Sequence, residues 1–173
     1  EEACRKRADE LRDKDLFALP EGSHLGECPL CFLPLSIDER KSDMMSCCSK
    51  IICRGCSYAN QLREIEEGLE YRCAFCREPF PKSKEEGEKN MMERIKKNDP
   101  VAMCQMGIRC FRKGGYETAL EYWTKASELG HAEAHCKLSL MYCEGLGVEK
   151  DVEKEVYHLE EAARKGHPVA RHY

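Results

Sequence analysis

The sequence predicts a two-part fold: a small α+β module organised around clustered cysteines, then an all-α domain of helical repeats, an α-solenoid. Three observations predict it. Eight of the thirteen cysteines fall between Cys28 and Cys76, in four close pairs. From Asp99 onward, Asp99–Gly130 can be laid under His131–Gly166 so that small and apolar residues coincide. Between these parts lies a stretch, 82–98, whose first half is almost entirely charged.

Composition narrows the function. The chain has 173 residues, room for one or two domains, with 42% apolar and 35% charged residues. No apolar run approaches the ~18 residues of a membrane span, so no membrane partner is expected. The formal charge is −4, and no basic stripe is present, which argues against nucleic acid as a partner. Cys4, Cys104, Cys110, Cys136 and Cys143 have no evident mates, as expected of a protein kept in a reducing, intracellular compartment, cytoplasm or nucleus. No acid–base constellation or phosphate-binding loop is present, so no catalytic residue is assigned. The sequence opens at Glu1 without methionine and stops inside an expected helix, which reads as a piece of a longer chain.

Residues 1–23 form a charged N-terminal arm. Leu11, Leu16, Phe17 and Leu19 are too clustered for a helical stripe, and Pro20-Glu21-Gly22-Ser23 ends the segment. The cysteine module follows at 24–81. Its pairs are Cys28/Cys31, Cys47/Cys48, Cys53/Cys56 and Cys73/Cys76, separated by fifteen, four and sixteen residues. C-x-x-C lets one tight turn aim two thiolates at a tetrahedral ion, with Zn–S near ~2.3 Å. Eight thiolates complete two four-sulfur sites, which leave no open position for water and therefore hold structural zinc. Spacing alone allows two arrangements: neighbouring pairs share an ion, or the first pair joins the third and the second joins the fourth.

Within the module, the loop Phe32–Ser46 contains Pro34 and a charged centre, Asp38–Asp43, and is expected to be exposed. Lys50-Ile51-Ile52 suits a short strand. From Ser57 to Gly68, Tyr58, Leu62 and Ile65 recur at helical steps and predict one amphipathic helix. Lys41, Lys50, Arg54, Arg72 and Arg77 are near enough in sequence to offset the negative clusters. Residues 82–98 read as linker passing into helix, with Met91, Met92 and Ile95 at helical spacing. The repeats occupy 99–173. Asp99-Pro100 is a helix start, with Asp as cap and Pro in the first turn. Each unit reads helix, Gly-containing turn, helix, Gly, and the third opens at His167-Pro168-Val169-Ala170. His135, His158 and the four cysteines of this half fall at core or face positions and read as structural.

Two resemblances add to this reading. Cys48-Ser49-Lys50-Ile51-Ile52-Cys53-Arg54-Gly55-Cys56, with the flanking pairs, resembles a RING-type zinc finger in its all-cysteine variant. Lys50 stands where many such domains place a histidine ligand, and Cys47 makes up the count. The resemblance implies a cross-brace, with Cys28, Cys31, Cys53 and Cys56 on one zinc and Cys47, Cys48, Cys73 and Cys76 on the other. It also implies a ubiquitin-protein ligase that docks a ubiquitin-conjugating enzyme through Leu30, Tyr58, Leu62 and Pro79. Arg77, just past the last ligand, takes the position of the cation that activates the bound ubiquitin; Ala74 departs from the proline common at its position. Leu138, Tyr142, Gly145-Leu146-Gly147-Val148, Asp151, Ala162-Ala163 and Gly166 resemble a Sel-1-like repeat, related to the tetratricopeptide repeat, with departures at Ser139 and Glu155. That implies a surface that recruits a protein substrate or scaffold partner. The competing expectation is a RING-like, Sel-1-like adaptor without ligase activity.

Overall fold

The computed structural model describes residues 25–36 and 38–171; the N-terminal arm 1–23 lies outside them. The described residues form two compact units, 25–102 and 103–171, dividing within the first turn of a helix.

The first unit is built on two turns of the same design. Around Cys28-Pro29-Leu30-Cys31, Phe32 N–H donates to Cys28 O at 2.8 Å and Cys28 N–H to Leu33 O at 2.9 Å. Around Cys73-Ala74-Phe75-Cys76, Arg77 N–H donates to Cys73 O at 3.0 Å and Cys73 N–H to Glu78 O at 2.8 Å. Each turn is closed by a one-residue antiparallel bridge, Glu27 with Pro34 and Arg72 with Pro79. The residue after each second cysteine is left-handed, Phe32 at φ 59° and Arg77 at φ 64°. Such a backbone is unusual for a side chain other than glycine's, and here the curl that aims both sulfurs inward imposes it.

Between the turns runs a two-stranded antiparallel ribbon, β1 (Ser42–Met44) and β2 (Ile51–Cys53), with Asp43 opposite Ile52. The loop expected to be exposed therefore contains a single turn of 3-10 helix, Glu39–Lys41, and the strand β1, and it buries Leu35 and Met45. Its charged centre concealed this, because only its ends carry apolar side chains. Helix α1 (Arg54–Glu66) follows β2 directly. The Cys53 sulfur caps it by accepting from Cys56 N–H at 3.4 Å. The expected helix is present, but its apolar residues face outward: Tyr58 and Ile65 are 59% and 68% exposed, and the side chain that α1 buries is Glu64.

Helix α2 (Lys84–Lys96) belongs to this first unit, and its charged opening, expected as linker, is already helical from Lys84. Ser83 caps it, accepting from Glu86 N–H at 3.2 Å, while Glu86 reaches back to Lys82 N–H at 2.7 Å, a variant of the capping box. Asp99 then starts helix α3 (Pro100–Arg112) by accepting from Val101 and Ala102 N–H, and its other oxygen holds Arg94 at 2.6 Å.

The second unit continues with α4 (Tyr116–Glu128), α5 (Ala132–Glu144), α6 (Val152–Arg164) and a closing 3-10 turn, Val169–Arg171. Helix α5 packs against both α4 and α6. Trp123 is buried on α4, and its indole N–H donates to Cys104 O at 3.1 Å. Gly107 makes room for it: a Cβ there would stand 2.6 Å from Trp123 Cδ1 and closer still to Nε1. Gly107→Ala therefore forces a rigid ring to move, and should cost about 1–3 kcal/mol in urea unfolding. As Trp123 is the one tryptophan of the chain, its emission follows this unit alone. An unchanged midpoint would refute the close approach. At the aligned positions the second repeat has Ser139 and Leu159, a larger residue and a smaller one. Gly147 similarly lets the α5–α6 turn approach α4, since a Cβ would meet Tyr116 Cβ at 2.8 Å.

Two histidine sites make the second repeat sensitive to pH in opposite senses. His135 Nδ1 lies 3.0 Å from His158 Nδ1, and the Tyr142 ring stacks on His158 at 5.7 Å. Burial lowers both imidazoles, and the neighbouring His135 helps bring His158 down to about 4. His167 Nε2 is 2.8 Å from Glu133 Oε2. Burial opposes the charge on His167, but Cys136 and Glu133 outweigh it and raise this group to about 9. An unfolded histidine titrates near ~6.5. The lowered pair therefore loses its contribution as pH falls from that value towards 4, and His167 loses its own as pH rises through 9. Stability of this unit should peak near neutrality. His158→Phe, which keeps the stack on Tyr142, should flatten the acid limb when Trp123 emission is followed through urea titrations between pH 4 and 7; an unaltered limb would count against the pair.

Candidate metal centres and interaction surface

The four cysteine pairs meet in two groups. Cys28, Cys31, Cys53 and Cys56 form one, and Cys47, Cys48, Cys73 and Cys76 the other; in each, all four sulfurs lie within 4.8 Å of one another. The first group joins the first turn to the start of α1, and the second joins the end of the β1–β2 connection to the last turn. Individual edges measure 3.7 Å for Cys31–Cys53, 3.9 Å for Cys48–Cys73 and 3.3 Å for Cys47–Cys76. Four sulfurs at ~2.3 Å from a tetrahedral ion would be about 3.8 Å apart, so each group has the size and the soft donor set that zinc takes. Vicinal Cys47 and Cys48 both join the second group.

Electrostatics argue the same way. Burial, reinforced by the neighbouring sulfurs, raises the Cys47 and Cys48 thiols, Cys48 to about 11. Burial also raises Cys28, but N–H groups of Cys53, Cys31 and Leu30 outweigh it and hold that thiol at about 6. Cys73 is lowered in the same manner, by Cys76 and Phe75 N–H groups acting against burial. Each group thus contains one sulfur already stabilised as thiolate beside others that resist a second charge. A divalent cation removes that conflict. The five cations expected to offset the clusters are only partly so engaged: Arg72 pairs with Glu70 at 3.4 Å and Arg77 with Glu64 at 3.1 Å. Lys50 lies over the Phe75 ring, 5.5 Å from its centroid.

Around the clusters, Leu30, Tyr58, Leu62 and Pro79 are all exposed. They come from the first turn, two successive turns of α1 and the segment after Cys76. The first sulfur group holds the Leu30 turn beside the start of α1. Phe32 and Leu33 extend the exposed apolar surface. Arg77 is only half exposed and is tied to α1 through Glu64 and Asn60. Pattern reasoning missed Glu64 and Asn60; the one signal for them is their i,i+4 spacing on a helix face.

The repeat region has a match among known families. A family model described as Sel1 repeat matches residues 100–131 and 132–167. Two Sel1 repeats fill this segment. Their boundaries fall at α3–α4 and at α5–α6 with the turn that follows. Sel1 repeats generally mediate protein–protein interaction, and the exposed Leu140, Val152 and Tyr157 of the second repeat are apolar positions available to such contacts. Among the described residues all twelve cysteines are free of disulfides, and no helix is long and apolar enough to cross a membrane.

Proposed function

We propose that the first unit is a RING-type module binding two structural zinc ions, and that the chain acts as a ubiquitin-protein ligase whose Sel1 repeats recruit substrate or a scaffold partner. The observation that carries this reading is the alternate pairing of the cysteines, first with third and second with fourth, with an exposed apolar α1 between the turns. In this role the chain forms no covalent bond to ubiquitin. The conjugating enzyme holds ubiquitin as a thioester; a substrate amine attacks the carbonyl and the thiolate leaves. Leu30, Tyr58, Leu62 and Pro79 dock the conjugating enzyme, and Arg77 holds the thioester-linked ubiquitin in a reactive pose. Zinc supplies no chemistry to that step and serves only to fix the turns. The free cysteines support residence in a reducing compartment, cytoplasm or nucleus.

A second reading, an adaptor without ligase activity, is favoured by the Sel1 repeats and by the engagement of Arg77 within its own module. Single-turnover discharge of ubiquitin to free lysine, across a panel of loaded conjugating enzymes, separates the two. A ligase accelerates discharge from at least one of them. No acceleration with any, at two zinc ions per chain, would leave the adaptor.

A further inference from the structure

Helix α1 buries a carboxylate that neither sulfur group uses. Glu64 is 1% exposed, and its Oε2 accepts from Arg72 N–H and from Asn60 Nδ2, each at 3.0 Å. Its Oε1 stands 3.1 Å from Arg77 Nη1, at ion-pair distance, with Arg63 farther off at 3.8 Å. The same Arg77 Nη1 donates to Asn60 Oδ1 at 3.1 Å. Arg77 is also fixed at its backbone: it follows Cys76 in the left-handed region, and its carbonyl accepts from Arg72 Nη1 at 3.2 Å. Asn60 in turn bonds Arg72 O at 3.1 Å, so consecutive turns of α1 grip the chain on both sides of the last cysteine pair.

A half-exposed arginine ordinarily samples many rotamers, and that freedom must be lost when it meets a partner. Here it is already restricted. Both contacts engage Nη1, which leaves the N–H donors of Nη2 and Nε of the planar guanidinium for acceptors on a partner. The anion that restricts it is buried, where attraction to a cation is screened less than at the surface. We propose that Glu64, with Asn60, is a positioning residue that presents Arg77 to the ubiquitin-loaded conjugating enzyme; the role rests on the ligase reading above. Without this grip Arg77 would still carry its charge but would reach the complex from many orientations, most of them unproductive.

Glu64→Gln tests it. The amide oxygen can take over the bonds to Arg72 N–H and Asn60, while the amide nitrogen replaces the carboxylate oxygen facing Arg77. The expected result is two zinc ions retained and affinity for the unloaded conjugating enzyme within about 2-fold of wild type. Discharge should be slower by about 10-fold or more. In an Arg77→Ala background the same change should slow discharge no further, because the residue being positioned is gone. Equal discharge by Glu64→Gln and active wild type would overturn the role, as would independent, multiplying losses in the double variant. So would a matching loss of affinity for the unloaded enzyme, which marks a merely structural residue. If Glu64→Gln fails to retain zinc, Asn60→Ser, which removes the second acceptor from the same nitrogen, carries the test; normal discharge by that variant overturns the role. Failure of wild type itself to accelerate discharge is a different result: it removes the ligase reading, and this role with it.

Discussion

Chelation of zinc is expected to unfold residues 28–76 and to leave the emission of Trp123 largely unchanged. The buried cluster of this module is Cys28, Leu35, Met45, Ile52 and Cys73, and two of those five belong to the candidate metal-binding groups. So little apolar surface cannot offset the conformational entropy of some fifty residues. Metal binding supplies on the order of 10 kcal/mol per structural site, enough to decide whether the module folds. Metal analysis should find two ions per chain. Cys53→Ser and Cys73→Ser should each empty a different site, since they belong to different sulfur groups. One ion per chain would sink the assignment of vicinal Cys47 and Cys48 to a common ion. If both variants lost the same zinc and kept the other, the alternate pairing would be wrong.

Leu30→Ala and Arg77→Ala are expected to fail at different stages of ubiquitin transfer. Leu30 is exposed at the tip of a turn whose two cysteines remain in place. Its truncation should weaken docking of the conjugating enzyme by about 1–3 kcal/mol without loss of zinc. Arg77→Ala should leave docking nearly intact and slow discharge, because the partner of this cation is present only in the ubiquitin-loaded complex. The structure adds a consequence for the second variant. Removing Arg77 strips buried Glu64 of the cation 3.1 Å away and leaves Arg63 at 3.8 Å as its nearest substitute. Stability of the module should fall by roughly 1–3 kcal/mol, a cost for leaving a buried anion short of partners. Discharge is therefore compared at a temperature where both variants hold two zinc ions. Leu30→Ala with wild-type docking, or Arg77→Ala with wild-type discharge, would each refute its half of the scheme.

Much of this chain was legible from local chemistry. Four cysteine pairs announce metal because thiolates at that spacing share one ion with little strain. Asp99-Pro100, Gly130 and Gly166 punctuate the repeats because a cap, a fixed φ and a left-handed turn are properties of single residues, readable one at a time. The tertiary structure decided the rest. Spacing left two pairings of the cysteines open, and only the folded chain shows which sulfurs meet. Periodicity predicted an amphipathic helix from Tyr58, Leu62 and Ile65, but not that all three would be exposed while Glu64 is buried. A hydrophobic pattern identifies the buried face of a helix when an apolar core is what the helix packs on. Beside two sulfur clusters part of the interior is cysteine sulfur and backbone N–H groups that need an acceptor, as Arg72 N–H does. One carboxylate accepts from Arg72 N–H and Asn60 and stands at ion-pair distance from Arg77. Asn60 lies four residues away on the same helix face, but Arg72 and Arg77 lie eight and thirteen residues away, and only the closure of the last turn brings them to Glu64.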